Sequence, residues 1–334
     1  SQKSVWSIVR GSVPRSLALS LGALPTLFLT MLAARTSEGA VSVFTLAGNL
    51  EAVPLALIGA SYATAAFPVL SEEARGKRDD AFRETLTAAA RHLIFWSSVV
   101  AVLTIVLRAH LVRVIFGTGA FDWDATRLTA ALLGVLVIGL SAQGFVLLAS
   151  RAFYAARRSW NPFIIQVAGL VLSVLGAYGF LALSETNVGV RYFVEALLRI
   201  EDIGGSSVVF IALGATLGQI AMGIIALITL RDVAPGVAKN LLRPLFEGVA
   251  AGIMGGFASY GVLAVLGNIA PLATLWAVFT QGLLAGMVGL AVSASVLILL
   301  ENREFKDLYE SLRKITLSKA LAPSGTALND HPHS

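Results

Sequence analysis

Eight long apolar runs, separated by short polar segments, dominate the chain. A transmembrane helix needs roughly 20 predominantly apolar residues, and every run meets or approaches that length. Only helices or closed barrels satisfy all backbone hydrogen bonds in lipid, and runs of this length favour helices. The pattern therefore predicts an all-α, polytopic membrane bundle of eight transmembrane helices. The predicted spans cover about 16–35, 41–70, 92–116, 126–149, 160–183, 207–230, 245–267 and 272–300.

Three polar segments carry helical patterns of their own. The 71–91 loop is densely charged, and from Asp79 onward it predicts an amphipathic cytoplasmic helix that leads into the third span. The segment VRYFVEALLRI, between spans five and six, is too short and too charged to cross a bilayer and predicts an interfacial helix. The tail 301–334 predicts an amphipathic helix, ENREFKDLYESLRKI, followed by a disordered end.

Composition agrees with an integral membrane protein. Hydrophobic residues make up 56% of the chain and charged residues only 13%, whereas soluble domains carry about 25% charge. The absence of cysteine excludes disulfides and thiolate metal sites, and two of the four histidines lie in the extreme tail, so neither a metal nor a cofactor is expected. No phosphate loop, HExxH motif or nucleophile elbow occurs, so we do not expect an enzyme. The net charge of +5 is better explained by cytoplasmic loops than by nucleic-acid binding.

The distribution of basic residues predicts the orientation in the membrane. Nineteen Lys and Arg residues fall on the side of the two termini, and six fall on the opposite side. Cytoplasmic loops carry the excess of positive charge in multi-pass proteins. Both termini are therefore predicted to lie in the cytoplasm, which agrees with an even number of spans.

A carboxylate inside the second span is the main candidate for chemistry. Glu51 is the only acidic residue well inside an apolar run, and such a residue is costly in the bilayer unless it has a function or a partner. Asn49 belongs to a polar and small-residue stripe on the same span, about 200° around an ideal helix from Glu51, although Pro54 can alter that angle locally. Glu51 is thus either a functional acid or a structural one that another helix or water satisfies.

Other polar residues complete the set of cavity candidates. Gln143, Gln166 and Gln219 interrupt spans four, five and six, and Gln143 and Gln166 are retained as candidates beside Asn49 and Glu51. Arg151 follows span four. It is either an interfacial arginine whose side chain snorkels to water or a group suited to binding phosphate through its fork of donors.

Three segments resemble the MurJ/MviN family of lipid II flippases, which belongs to the MOP transporter superfamily. The similar blocks are LAGNLEAVPLALIGASYATAAFPVLSEEA (46–74), IFGTGAFDWDAT (115–126) and RAFYAARRSWNP (151–162). The resemblance implies fourteen helices in the family, arranged as two six-helix lobes around a central cavity with two extra helices. This chain is similar to helices seven to fourteen. It begins with Ser1, and we expect it to be a fragment or a processed product without the first lobe.

The resemblance also implies a division of the chain and a function. Residues 1–232 would form the second lobe, 233–300 the extra helix pair and 301–334 a cytoplasmic tail. The function would be part of a flippase that moves lipid II, an undecaprenyl-diphosphate-type precursor, across the bacterial inner membrane by alternating access. The implied partners are this lipid, membrane lipids and the missing six-helix lobe, which supplies many of the family's cavity arginines.

The chain departs from the family at one helix. Gly48 and Asn49 stand where the family usually has an Asp-Arg pair, and Ala52 stands where it often has an acid. This departure leaves alternatives open: a MOP transporter of another polysaccharide lipid, a drug exporter that uses Glu51 for protons, or a membrane scaffold that does not transport.

Overall fold

A computed structural model describes residues 21–117, 121–269 and 274–307. Within these ranges the chain is helical and forms no strand. The α-helices are α1 (Leu24–Ala33), α2 (Ala40–Pro54), α3 (Ser61–Arg75), α4 (Asp79–Phe116), α5 (Trp123–Leu136), α6 (Leu140–Ala155), α7 (Trp160–Thr186), α8 (Val188–Leu198), α9 (Val208–Leu230), α10 (Leu242–Ile269) and α11 (Leu275–Leu299).

Seven of the eight predicted spans appear as helical segments long and apolar enough to cross a membrane. Two of these segments join consecutive helices, α2 with α3 and α5 with α6. The first predicted span, 16–35, is described only from residue 21 and contributes the ten-residue α1. Most of the predicted tail helix likewise lies outside the described residues. The membrane-spanning helical class is confirmed, and the count of eight stays a prediction.

The predicted cytoplasmic helix and the third span are one element. The 38-residue α4 begins at Asp79 and continues to Phe116 without a break. Asp79 and Asp80 occupy its first turn, where acidic side chains interact favourably with the helix dipole. At 1.5 Å per residue such a helix is longer than the bilayer core, so its first turns must extend beyond the hydrocarbon.

The short α8 agrees with the predicted interfacial helix. Tyr192, Phe193 and Leu197 are exposed, which suits contact with lipid. Glu195 is buried instead, where it accepts hydrogen bonds from Arg191 and from the Ser206 hydroxyl. The same hydrogen bond with Glu195 raises the pKa of Arg191.

Two helical spans are interrupted, one between α2 and α3 and one between α5 and α6. Pro54 has no backbone N–H to donate to the carbonyl one turn earlier, and a six-residue π-helix, Leu55–Ala60, follows it. A short 3₁₀ turn, Val137–Gly139, separates α5 from α6. Neither interruption follows from hydropathy, because both segments remain apolar.

The interior contains two main apolar clusters, one towards each end of the bundle. One cluster joins residues of α1, α2, α5 and α9, including Leu32, Phe44 and Leu133. The other joins α3, the first half of α4, α6 and the end of α9, including Leu70, Phe145 and Phe153. The residues between them along α2, α6 and α9 are more polar, and this is where the cavity described below lies.

The last two helices pack on the outside of α4. Phe95, Val99 and Leu103 of α4 meet Ala251 of α10 and Leu297 of α11. The last two spans pack closely on each other, since a Cβ on Gly255 would lie 2.4 Å from the Gly289 carbonyl oxygen. The hydroxyls of Ser259 and Ser293 donate across this contact to carbonyls of the facing helix, as small polar residues do between membrane helices.

Small residues also bring α7 and α9 into close contact. A Cβ on Gly214 would lie 2.1 Å from the backbone nitrogen of Ala177, and one on Gly218 would lie 2.8 Å from that of Ser173. Gly214 and Gly218 form a GxxxG motif, which lets two membrane helices approach backbone to backbone. This crossing fixes the position of α9 beside the cavity.

We predict that Gly214→Ala destabilises the fold by about 1–3 kcal/mol, because the new methyl group overlaps backbone atoms that cannot rotate away. The matched control is Gly179→Ala on α7, where a Cβ meets no atom within 4 Å. That change should be neutral or stabilising, since alanine is the better helix former. Thermal unfolding in detergent would measure both, and equal midpoints for the two variants would contradict the proposed crossing.

Candidate functional site: a polar cavity inside the bundle

A cavity of about 510 Å³ opens between the two apolar clusters. Its walls come from α1, α2, α5, α6, α7 and α9. Most of the lining is apolar, and the polar lining residues are Thr26, Thr45, Asn49, Glu51, Gln143, Gln166, Ser173 and Gln219.

Glu51 is the buried centre of this polar group. Only 7% of its surface is exposed, and its Oε1 accepts a hydrogen bond from Gln143 Nε2. Gln219 Nε2 donates to the same oxygen over 3.4 Å. Three spans, those of α2, α6 and α9, therefore meet at one carboxylate.

The sequence around Glu51 explains how α6 comes close. Gly59, in the π-helix, faces Gly144, and a Cβ on Gly59 would lie 3.0 Å from the Gly144 Cα. Gln143 is the neighbour of Gly144, so the glycine contact brings its carboxamide within reach of Glu51. Gly59 belongs to the π-helix Leu55–Ala60, so this irregular turn is part of the contact.

Gln219 reaches Glu51 across the 3₁₀ turn between α5 and α6. A Cβ on Gly139 would lie only 1.9 Å from Gln219 Oε1, so any larger residue at position 139 would displace the Gln219 carboxamide. Thr216 donates to the Val135 carbonyl at the same turn, over 3.0 Å. Gln219 is the central residue of the 23-residue α9, which places the cluster near the middle of the membrane.

One buried polar atom in the cluster has no hydrogen-bond partner among the described residues. Gln219 Oε1 accepts no hydrogen bond from any described residue, although its Nε2 is engaged with Glu51. Buried side-chain acceptors are nearly always satisfied in folded proteins, so an unsatisfied one beside a carboxylate requires a physical explanation.

The cavity carries no positive charge among the residues that the structure describes. Glu51 is the one titratable residue in the described lining, and no Lys, Arg or His accompanies it. In its ionised form the carboxylate would therefore be stabilised, among the described residues, by neutral amide donors alone.

Four of the five predicted site residues line the cavity: Asn49, Glu51, Gln143 and Gln166. Arg151 does not, because it lies at the far end of α6 with its guanidinium carbon 5.7 Å from the centre of the Phe67 ring. Gln219, which interrupts span six, also lines the cavity and contacts Glu51, although it is not among the predicted site residues. Its position at the centre of an otherwise apolar span was the signal that could have identified it.

A larger cavity of about 700 Å³ lies at the end of the bundle where the predicted cytoplasmic loops gather. It is lined by the start of α4, the turn near Gly236 and residues 303–307. Much of its charge is paired, since Arg91 bridges Glu304 over 2.5 Å and His92 lies 3.4 Å from Asp307. The arrangement attaches the segment after α11 to α4.

We predict that Gln143→Leu and Glu51→Gln are energetically coupled. Removing the Gln143 amide leaves the buried Glu51 carboxylate without its closer donor. This should lower the free energy of unfolding by about 1–2 kcal/mol. In the Glu51→Gln background the same change should cost less, because no charge remains to be stabilised. A double-mutant cycle on unfolding in detergent would measure the coupling, and effects that add within about 0.5 kcal/mol would contradict the contact.

Comparison with known proteins identifies the family. A family model described as "Lipid II flippase MurJ" matches residues 3–197. A probable lipid II flippase MurJ of Bdellovibrio bacteriovorus is 26% identical over 257 residues, which cover 75% of this chain and 45% of that protein. The lipid II flippase MurJ of Burkholderia cenocepacia is 26% identical over 199 residues, covering 58% of this chain and 39% of the relative. The chain thus spans less than half the length of these relatives.

A solved structure, "Lipid II flippase MurJ, inward closed conformation", shares the fold with a TM-score of 0.63 at 16% identity. The match covers 90% of this chain and 57% of the solved chain. The resemblance expected from blocks 46–74, 115–126 and 151–162 is therefore confirmed. Because the family model matches more than half of the sequence, the chain belongs to the MurJ family of lipid II flippases.

Proposed function

We propose that this chain forms one lobe of a flippase for lipid-linked cell-wall precursors. The observation that supports it most is the family match over residues 3–197, which contains the central part of the polar cavity, including Asn49, Glu51 and Gln143. The substrate would be an undecaprenyl-diphosphate-type lipid in the bacterial inner membrane. The family match does not favour the alternatives that the sequence left open, which are a transporter of another polysaccharide lipid, a drug exporter and a membrane scaffold.

The chain would divide as the resemblance implies. Residues 1–232 would be the second six-helix lobe and 233–300 the extra helix pair, which agrees with the packing of α10 and α11 on α4. The 301–334 tail would lie in the cytoplasm, with its first residues attached to Arg91. A six-helix lobe of similar fold would complete the transporter.

We expect the two lobes to contribute different chemical groups to the binding of the head group. This wall offers amides and one acid, so the cations that neutralise a diphosphate would come from the partner lobe. Alternating access would follow from rocking one lobe against the other around the head group, with the lipid tail remaining in the membrane. The two helix interruptions near Pro54 and Gly139 lie at the level of the cavity, where bending would change its access.

Both termini are proposed to be cytoplasmic. We predict that Glu185→Cys is labelled only from outside and Asp80→Cys only from the cytoplasmic side, because the basic loops should remain inside. Both side chains are exposed and the native chain has no cysteine, so each label reports one site. Labelling of Glu185→Cys from the cytoplasmic side alone would reverse the proposed orientation.

Asn49→Arg tests the proposed substrate. The family resemblance implies a cation here, and Asn49 borders the cavity beside Gly48, where a Cβ meets no atom within 4 Å. A new arginine should strengthen binding of a polyprenyl-diphosphate-linked sugar by about tenfold or more, since charge-assisted hydrogen bonds are roughly twice as strong as neutral ones. Native mass spectrometry of lipid adducts would measure it.

Thr45→Arg, one turn away on the cavity wall, is the matched control for a general electrostatic gain. Equal gains in lipid affinity at both positions, or an unchanged affinity in Asn49→Arg, would argue against a diphosphate lipid at this wall.

Proteoliposomes with the chain alone should not flip the lipid, because one lobe cannot alternate access. Flipping above protein-free vesicles would contradict the requirement for a second lobe.

A further inference from the structure

Among the residues that the structure describes, the buried Glu51 cluster has no positive charge that would hold the carboxylate permanently ionised. Gln143 and Gln219 are the described side chains that hydrogen-bond to it, and both donate through amide nitrogen. A carboxylate in a site of low polarity is costly unless a cation accompanies it. The neutral, protonated form avoids this cost, so the site is suited to both forms.

Charged groups on the elements packed around α2 and the π-helix do not change this picture. The spans of α1 and α9 carry none within their described helical ranges. Those on α3, α4, α5, α6 and α7 are absent from the described cavity lining: Glu72, Glu73, Arg75, Asp79, Asp80, Arg83, Glu84, Arg91, His92, Arg108, His110, Arg113, Asp124, Arg127, Arg151 and Glu185.

We propose that Glu51 is a proton-exchange site near the middle of the membrane and that the Gln219 carboxamide rotates as the proton arrives and leaves. We assign the contacts in the structure, where Glu51 Oε1 accepts from both amides, to the ionised state. In the protonated state the new O–H donates to Gln219 Oε1, which at present has no described partner. One proton moves between cavity water and the carboxylate, and no other bond is made or broken.

A proton suits this geometry better than a metal ion. Hard cations bind oxygen ligands, whereas both carboxamides turn their N–H groups towards Glu51. Nor do the described residues contain a group of three or more His, Cys, Asp or Glu that could hold a metal. The Gln143 N–H group, which stays turned towards Glu51 in both proposed states, would repel a cation, whereas a carboxyl oxygen can accept from it whether or not Glu51 is protonated.

The proposal deepens the proposed function, on which its role in transport rests. If the chain is a flippase lobe, Glu51 would couple lipid movement to a proton. Uptake and release of the proton at Glu51 can be measured without any substrate, so this site and the flippase activity can fail independently.

The experiment is infrared difference spectroscopy of the 334-residue chain in lipid nanodiscs, between about pH 9 and about pH 5.5. Exposed Asp and Glu titrate near ~3.9 and ~4.3 and contribute little in this interval. A carbonyl band of a protonated carboxyl should appear on acidification. It should be lost in Glu51→Gln and retained in Glu195→Gln, another buried glutamate that is paired with Arg191.

Two further variants make the assignment independent of how well Glu51→Gln folds. Glu51→Asp keeps a carboxyl in a different position, so its band should move in frequency. Gln219→Leu removes the proposed acceptor, so the Glu51 band should shift to higher frequency, and an unmoved band would overturn the rotation of Gln219.

Three outcomes would overturn proton exchange. A band present or absent at both pH values would show that Glu51 does not titrate, and a band unaffected by both Glu51 variants would belong to another residue. Loss of the band when sodium replaces choline at fixed pH would assign the site to a metal cation.

Discussion

A carboxylate near the middle of the membrane must be satisfied by the protein, and much of this bundle is organised around that requirement. Glu51 is reached by amides from α6 and α9. Both amides reach Glu51 because glycines leave room for them. Gly144 of α6 packs against Gly59, and Gly139 leaves space for the Gln219 carboxamide. The π-helix after Pro54 and the 3₁₀ turn after Leu136 lie where those approaches occur, so each irregularity in the spans has a role in the same cluster.

Ion pairs among the described residues lie at both ends of the bundle. At one end Arg127 bridges Asp202 over 2.7 Å and donates to the Arg199 carbonyl. This guanidinium lowers the pKa of Asp202. At the other end Arg91 bridges Glu304. The described cavity lining between them holds neutral amides, hydroxyls and one acid, so under the proposed function the complementary charge would come from elsewhere.

The sequence predicted the helical spans because apolar runs are long and local, and it selected Glu51 because an acid inside such a run is conspicuous. It could not predict which residues meet that acid. The angle between Asn49 and Glu51 on an ideal helix separated them, whereas both line one cavity. Gln219 depends on the α7–α9 crossing, which brings together glycines and small residues far apart in sequence. Arg151 was suited to phosphate by chemistry, but its helix places it beside Phe67.

The bridge between Arg91 and Glu304 has a consequence for biosynthesis. Its partners are 213 residues apart, and Asn302 also reaches Glu247. Contacts of such large sequence separation form late, because the intervening chain must first be ordered. During synthesis from the N-terminus, α4 would enter the membrane before the segment that ties down its first turns exists. Truncation after α11 would therefore leave the α4 N-terminus without its final attachment, even though every apolar span would already be in place.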